Sequence, residues 1–258
     1  MIKNITIIGA GNVAFHLCKA FVEQGIKPKQ VFVRSRSKSL PFAKMGVELV
    51  HNAAEIGNAE LFILAVNDDS IADAAALLPA GDALVVHTSG SMPCEILKDY
   101  SPNYGVFYPL QTFSLERELD FKAIPLFIEG ANLTTENKLK ELAALLSDAV
   151  IVSTNLDRRL LHLGAVYVSN FSNALFGIAH QILEENALSF QHLVPLMRET
   201  VEKAIVKNPL TVQTGPARRN DKETIAAQLN LLKNSPEEKE IYEMLTNYII
   251  NKYHTPKK

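Results

Sequence analysis

The stretch IIGAGNVA, residues 7–14, decides the fold of this chain. It follows a short apolar run and opens an amphipathic segment, which is the strand, turn and helix context of a dinucleotide-binding turn. In such a turn Gly9 permits the tight bend, Gly11 lets a pyrophosphate approach the backbone, and Ala14 packs the helix closely on the strand. A purely structural turn is the alternative. The predicted cofactor contacts here are Gly9, Gly11, Asn12, Val13 and Ala14.

Short apolar runs alternate with helical segments through the first half of the chain. Predicted strands lie at residues 5–8, 31–33, 47–50, 61–66, 84–87, 105–107, 126–128 and 150–152. This alternation predicts an α/β fold, a Rossmann-type doubly wound and mainly parallel sheet. After residue 155 only helical patterns follow. We therefore predict a dinucleotide-binding domain over residues 1–153 and an all-helical domain, for substrate binding and dimerisation, over residues 154–258.

Composition narrows the classes of function. The chain has 258 residues, of which 47% are hydrophobic and 21% charged, and a formal net charge of -2. This balance provides no general attraction for nucleic acid or for an anionic membrane, so we expect neither as a partner. Two cysteines are too few for a disulfide framework, and no apolar run has the length of a membrane span. We expect a cytoplasmic protein without a bound metal.

The stretch VFVRSRS, residues 31–37, indicates which dinucleotide is bound. An acid at the end of the second strand would accept hydrogen bonds from the adenosine ribose and repel a 2′-phosphate. This chain has Arg34, Ser35 and Arg36 there instead. Guanidinium groups bind phosphate with paired charge-assisted hydrogen bonds, so NADP is predicted as the cofactor. Solvated surface arginines are the alternative.

Two further loops follow predicted parallel strands, and ligands of such sheets bind at the carboxyl ends of strands. Val66 and Asn67 begin one loop, and Ser89 lies in the other; all three are predicted to contact the cofactor. His87 is either a catalytic proton donor or a hydrogen-bonded residue at a strand end. Asp68 and Ser91 are interpreted as helix caps.

The predicted helix over residues 156–185 carries a polar stripe. At 100° per residue, His162, Ser169, Asn170 and Asn173 lie on one side. The stripe either faces water or lines a cleft beside the nicotinamide. The opposite side holds Leu161, Tyr167, Phe171 and Leu175, which predicts a core or a subunit interface.

Several motifs together resemble a known group of proteins: GAGNVA, AVNDDS, HTSGS, YPLQTF, SNF and TGPARRND. They are similar to the bacterial Rossmann-like oxidoreductases that carry a helical C-terminal domain of unassigned function. The first half also resembles deazaflavin-dependent NADP oxidoreductases, pyrroline-carboxylate reductases and β-hydroxyacid dehydrogenases. The last of these use a lysine one turn before an asparagine that matches Asn170. This chain has Val166 at the lysine position.

The resemblance implies an NADP-dependent oxidoreductase that acts on a small carbonyl, imine or hydroxy compound in the cleft between its domains. Asn170, His162 and His87 are the candidate catalytic residues, because an amide can hold the reacting group and a histidine titrates near neutrality. Asn173 and Arg219 are the candidate substrate contacts. A homodimer is expected from the apolar helix face and from the resemblance. A non-catalytic NADP-binding scaffold and a deazaflavin partner are the alternatives.

Overall fold

The computed structural model describes residues 2–254. Its sheet has eight strands, in the spatial order β3-β2-β1-β4-β5-β6-β7-β8. Neighbouring strands are parallel except β6 and β7, which pair antiparallel. The strands are β1 (Ile5–Ile8), β2 (Gln30–Phe32), β3 (Glu48–Val50), β4 (Leu61–Leu64), β5 (Leu84–His87), β6 (Tyr104–Pro109), β7 (Leu126–Gly130) and β8 (Val150–Val152). The predicted α/β class and mainly parallel sheet are confirmed.

The strand order creates the ligand-binding edge. β1 lies between β2 and β4, so successive crossovers leave it in opposite directions and open a crevice beyond its carboxyl end. Ile8 pairs with Phe32 on one side and with Leu64 on the other. The residues that follow these three strands are therefore neighbours at one edge of the sheet.

The helices fall into three sets. Four belong to the strand-rich part: α1 (Asn12–Glu23), α2 (Leu40–Ala43), α3 (Ile71–Ala75) and α4 (Leu133–Leu146). The long helical segment after β8 consists of α5 (Asn155–Ala165), a π-helix (Val166–Phe171) and α6 (Ser172–Glu185). The remaining helices are α7 (Val194–Val206), α8 (Pro216–Arg219), α9 (Lys222–Leu231) and α10 (Pro236–His254).

The hydrophobic core lies on both faces of the sheet. On one face, Leu17 and Phe21 of α1 pack with Leu142 of α4 and with the side chains of the central strands. On the other face, Ile71 and Ala74 of α3 pack with a second set of strand residues. The strands are buried on both faces, which explains why they read as short continuous apolar runs.

The chain divides into two compact units, Met1–Phe171 and Ser172–Lys258. The first contains the whole sheet together with α1 to α5 and the π-helix, and the second contains α6 to α10. Strands end at Val152, where the sequence pattern also changes. The first unit continues for 18 residues beyond the domain limit of 153 predicted above. In this extension α5 is attached to β7 by Arg158 and to β6 by His162.

The long helix is interrupted, whereas the prediction assumed regular α-helical geometry over residues 156–185. The π-helix Val166–Phe171 adds backbone between the two α-helical parts and changes the angular positions computed at 100° per residue. No helix among residues 2–254 is long and apolar enough to cross a membrane.

Candidate functional site

The phosphate-binding turn joins β1 to α1. Gly9 has φ +124°, a conformation that L side chains rarely adopt, and a Cβ there would lie 2.2 Å from the backbone oxygen of Ala65. The Gly9 amide donates to the carbonyl of Phe32 at 3.1 Å. The glycine is therefore required by the close approach of β4 as well as by the bend. Ala14 is fully buried, as the packing of α1 on the sheet requires.

Gly11 has a different role from Gly9. A Cβ built on Gly11 would have no heavy atom within 4 Å, so this backbone faces open space. Gly11 is the N-cap of α1, no side chain caps the helix, and its first turn carries no acid. Unpaired amides at a helix N-terminus favour an anion. The turn thus fits the pyrophosphate of a dinucleotide.

A cavity of about 550 Å³ lies on the β2 side of this turn. Arg34, Ser35 and Lys38 line it, together with Val66 and Asn67 of the loop after β4. Arg36 is not among its lining residues, because a short 3-10 helix, Arg36–Lys38, carries the chain around and brings Lys38 to the wall. The cationic group at the predicted 2′-phosphate position therefore consists of Arg34 and Lys38, with the Ser35 hydroxyl between them in the sequence.

A larger cavity of about 1090 Å³ begins on the other side of the turn. It is bordered by the ends of four strands and by α5 with the π-helix. All of its lining residues belong to the first unit; they include Gly11, Asn12, Val13, Val66, Asn67, Ser89, Tyr108, His162, Ser169 and Asn170. The structure thus brings the predicted cofactor turn and two of the three predicted catalytic residues, His162 and Asn170, to one cavity.

Tyr108 and His162 form a hydrogen-bonded pair in this cavity, with 3.0 Å between the Tyr108 Oη and the His162 Nδ1. Tyr108 is only 9% exposed, and burial raises its pKa to about 12. Gly90 packs against the pair: a Cβ there would lie 2.7 Å from the His162 Nδ1 and 2.8 Å from the Tyr108 Cζ. The pair therefore needs a glycine in the loop after β5. Sequence reasoning missed Tyr108, for which the only signal was its place in the YPLQTF motif.

His87 does not reach the cavity. It is fully buried, its Nδ1 accepts from the amide of Ser89 at 3.1 Å, and its Nε2 lies 3.3 Å from the carbonyl of Pro93. Burial, with the charge of Arg158, lowers its pKa to about 4. The neutral His87 ring thus holds the loop after β5 through hydrogen bonds at both of its nitrogens. Of the two predicted roles, the geometry matches the hydrogen-bonded residue at a strand end and not the proton donor.

The interpretation of Asp68 and Ser91 as helix caps is wrong. The hydroxyl of Ser91 donates to the carboxylate of Asp68, and neither side chain caps its following helix. This bond ties the loop after β4 to the loop after β5. Ser89 supports the same loop, because its hydroxyl accepts from the amides of Ser91 at 3.1 Å and Met92 at 3.0 Å.

Arg158 on α5 anchors this helix beside the sheet. It is fully buried and forms an ion pair with Glu129 of β7. It also donates to the carbonyl of Met92 at 2.6 Å and to the Asn155 Oδ1 at 3.3 Å. A buried arginine is stable only when it is paired in this way. Arg158 lies one turn before His162 and so fixes the part of α5 that carries the histidine.

The loop after β6 is attached to α1. The side chain of Asn12 donates to the carbonyl of Phe113 at 2.7 Å, and the Nε2 of His16 donates to that of Ser114 at 2.9 Å. Lys19 contacts Glu118 at 3.1 Å. Asn12 therefore lines the cavity while its side chain holds the loop residues at the cavity wall.

Two predicted substrate contacts lie in the second unit. Asn173 is an exposed residue near the start of α6. Arg219 ends α8 and lies 3.9 Å from the carboxylate of Asp221, which caps α9 by accepting from the amide of Thr224. Their assignment to the substrate stays a prediction. Among residues 2–254, no cluster of three or more His, Cys, Asp or Glu side chains is suited to a metal ion.

Two family models match the chain. Residues 4–89 match the model described as NADP oxidoreductase, coenzyme F420-dependent, and residues 124–249 match a domain of unknown function, DUF2520. No curated protein matches the chain.

Several solved structures are similar to this chain. BF3122 from Bacteroides fragilis, described as a candidate NADP oxidoreductase, is 37% identical, with 97% of this chain and 98% of that chain covered and a TM-score of 0.92. A reductive aminase from Aspergillus terreus in complex with NADPH and ethyl-5-oxohexanoate is 17% identical, with 96% and 93% covered and a TM-score of 0.71. An imine reductase from Myxococcus stipitatus in complex with NADP+ is 17% identical, with 96% and 92% covered and a TM-score of 0.63. The last two show the fold alone.

The fold, the glycine turn and the cationic end of β2 define a Rossmann-type oxidoreductase. The chain belongs to the family of NADP oxidoreductases in which this domain is followed by the helical domain of unknown function. It is an NADP-dependent oxidoreductase, and NADP is its cofactor.

Proposed function

We propose that this enzyme reduces a small carbonyl or imine compound with NADPH in the cavity of about 1090 Å³ described above. The observation that carries the proposal is the continuity of this cavity. It extends from Gly11, at the phosphate turn, to the Tyr108–His162 pair and Asn170. A nicotinamide that follows a pyrophosphate at Gly11 would lie along this edge of the sheet. NADPH, when bound, supplies the hydride.

The cofactor contacts are proposed residue by residue. Backbone at Gly9, Gly11, Asn12, Val13 and Ala14 would hold the pyrophosphate at the N-terminus of α1. Arg34, Ser35 and Lys38 would bind the 2′-phosphate, and this cluster supports NADP over NAD. Val66, Asn67 and Ser89 would border the nicotinamide half, since all three line the larger cavity.

Asn170 and His162 are the proposed groups at the reacting centre. Asn170 lies in the π-helix, and such bulges are frequent at functional sites because they redirect side chains. Its amide can donate a hydrogen bond to a carbonyl oxygen. His162 supplies a titratable ring to the same cavity. Two structures that share the fold are a reductive aminase and an imine reductase, and they add imines to the substrates worth testing.

The test is the loss of NADPH absorbance with a panel of ketones, oxo acids and cyclic imines. We expect at least one compound to be reduced with NADPH and more slowly with NADH. In Asn170→Ala and His162→Ala, turnover should fall by about 100-fold to 10,000-fold, with NADPH affinity nearly unchanged. Absence of turnover with every compound, while NADPH binds, would instead support the non-catalytic scaffold.

A homodimer is proposed for the assembly. Leu156, Leu163, Tyr167 and Phe171 follow one another at spacings of four to seven residues along α5 and the π-helix, and they are half or more exposed. Large apolar side chains in a row support a protein interface, and the proposed occupant is a second copy of this chain.

A further inference from the structure

We propose that Tyr108 is the proton donor of this site and that His162 returns a proton to it. This inference rests on the proposed reduction of a carbonyl or imine in the larger cavity. It assigns a catalytic function to Tyr108, which lies near the carboxyl end of β6 at the cavity. His162 then transfers protons between Tyr108 and solvent.

The first support is the position of the hydroxyl. Tyr108 and His162 both line the cavity that Asn170 also borders, and their polar atoms are 3.0 Å apart. The Tyr108 ring is fixed by Phe127, with 6.4 Å between ring centroids, and by an edge contact with the His162 ring at 6.0 Å. The phenol is therefore held in place before a substrate arrives, as a proton donor must be.

The second support is the loop after β5. Gly90 has no room for a side chain, because a Cβ there would collide with both members of the pair. The loop in turn is held by neutral His87 through the amide of Ser89, and by the bond from Ser91 to Asp68. The loop after β5 therefore packs closely against the Tyr108–His162 pair and limits the movement of both side chains.

The third support is the protonation of the phenol. Burial is the main cause that raises its pKa to about 12; the charge of Asp68 acts in the same direction and that of Arg158 opposes it. Tyr108 consequently keeps its proton throughout the physiological range. A phenol of this strength still transfers its proton to the more basic oxygen or nitrogen that is formed when the double bond of the substrate is reduced.

The proton and electron balance is complete. The substrate carbon gains the hydride of NADPH, which is oxidised to NADP+. The π electrons of the substrate double bond move to the oxygen or nitrogen, and that atom takes the Tyr108 proton. The Nδ1–H of His162 then donates its proton to the phenolate, and the Nε2 takes one from solvent. Proton exchange with solvent then returns the imidazole to the Nδ1–H tautomer, so the Tyr108–His162 pair ends neutral and ready for the next turnover.

The first experiment compares Tyr108→Phe with Tyr104→Phe. Both residues lie on β6, and no hydrogen bond of the Tyr104 hydroxyl is found among the described residues, so Tyr104→Phe is a matched control. We expect Tyr108→Phe to lower turnover by about 100-fold to 10,000-fold at unchanged NADPH affinity, and Tyr104→Phe to have no effect. A full rate in Tyr108→Phe would overturn the assignment. No NADPH consumption by the unmodified protein would instead overturn the proposed function.

The pH dependence separates the two possible donors. With Tyr108 as the acid, kcat should be independent of pH between about 6 and 9, since the phenol stays protonated there. With protonated His162 as the acid, kcat would fall tenfold per pH unit above the histidine titration. The latter profile would refute the assignment.

A nitrogen NMR spectrum of the protein without substrate tests the relay independently of turnover. We expect the Nδ1 of His162 to carry the proton, and Tyr108→Phe to change this tautomer. His51 is an internal reference, because its Nδ1 donates to the carbonyl of Val33 at 2.7 Å and should not respond. An unprotonated Nδ1 on His162 in the unmodified protein would contradict the relay.

Discussion

Arg34 and Arg36 are two positions apart, and their surroundings differ. Arg34 lines the adenosine-side cavity together with Lys38, whereas Arg36 begins the 3-10 helix that leads away from it. Residues two positions apart in an extended segment face the same way, but here the extended backbone ends before Arg36. The 3-10 helix Arg36–Lys38 changes the direction of the chain and brings Lys38 to the cavity wall. The sequence motif alone does not distinguish the two arginines. In the structure Arg34 lines this cavity and Arg36 does not, and the assignment of either residue to the phosphate stays a prediction.

We predict that NADP(H) binds at least tenfold more tightly than NAD(H), and that Arg34→Ala removes most of this preference. A hydrogen bond to a charged group contributes about 1.5 to 3 kcal/mol, which corresponds to roughly 10-fold to 100-fold in affinity. Titration calorimetry with both cofactors measures the effect. Arg36→Ala is the matched control and should change NADP(H) affinity little. Equal losses in the two variants would contradict the placement of the 2′-phosphate.

His87 shows how burial changes a titratable residue. Its pKa is lowered to about 4 because the fully buried ring loses hydration and lies near Arg158. In the unfolded chain a histidine titrates at about 6.5. Between these pH values His87 is protonated in the unfolded chain but neutral in the folded protein. The free energy of unfolding therefore decreases as the pH falls.

This linkage predicts an acid-sensitive contribution to stability. The contribution of His87 is complete above about pH 6.5, and it decreases by up to about 1.4 kcal/mol per pH unit towards pH 4. Urea denaturation at several pH values measures it. His87→Gln keeps one acceptor for Ser89 and one donor for Pro93 without a charge change, so its stability should vary less with pH in this window. An identical pH dependence in both proteins would disprove the linkage.

At the scale of elements, α1 does more than present its N-terminus to a phosphate. Three of its residues, four and three positions apart, contact the loop after β6: Asn12 and His16 by hydrogen bonds to its backbone, and Lys19 by a surface ion pair. This loop supplies Leu110, Gln111, Thr112 and Phe113 to the cavity wall. The helix that opens at the cofactor turn therefore also sets the position of a wall of the proposed active site.

We predict that Asn12→Ala loosens this loop and exposes it to trypsin at Arg117, an exposed residue within it. Loss of one hydrogen bond costs about 0.5 to 1.5 kcal/mol, which increases the open population roughly 2-fold to 12-fold. Cleavage should accelerate by the same factor when opening is fast relative to cleavage. Lys19→Ala is the control and should cleave at nearly the normal rate, because it removes only the ion pairs with Glu23 and Glu118, and surface ion pairs contribute little to stability. Unaltered cleavage in Asn12→Ala would show that this contact does not hold the loop.

At the scale of the whole molecule, exposed apolar surface is the feature that bears on assembly. In the first unit, Leu163, Tyr167 and Phe171 are 54%, 63% and 50% exposed. In the second unit, Ile205 and Val206 of α7 are also largely exposed. Scattered apolar residues are ordinary on surfaces, but rows of them along helices mark interfaces.

We predict a homodimer at micromolar concentration and its weakening by Leu163→Glu. A charge buried in an apolar interface costs several kcal/mol because it loses hydration without gaining a partner. Sedimentation or light scattering gives the mass. Leu133→Glu is the control, since Leu133 is 76% exposed but belongs to α4 and not to the row of apolar residues on α5 and the π-helix. A monomeric mass for the unmodified protein would exclude the dimer.

The sequence by itself determined the elements of this protein. All eight predicted strands are present, Gly9 and Gly11 lie in the turn, and Ala14 is buried in α1, as expected. These features depend on near neighbours: apolar runs specify buried parallel strands, and a turn with positive φ requires glycine. The N-terminus of α9 is likewise specified locally, by the Asp221 side chain that caps it.

Only the tertiary structure decided which side chains meet. Tyr108 and His162 are 54 positions apart, and Arg158 and Glu129 are 29 apart, so their pairing follows from strand order and from the placement of α5. Tertiary structure likewise decided that His87 is buried and that Lys38, rather than Arg36, lines the cavity wall. Periodicity assigns a residue to a face of one element, whereas its partner, hydration and pKa depend on the elements packed against that face.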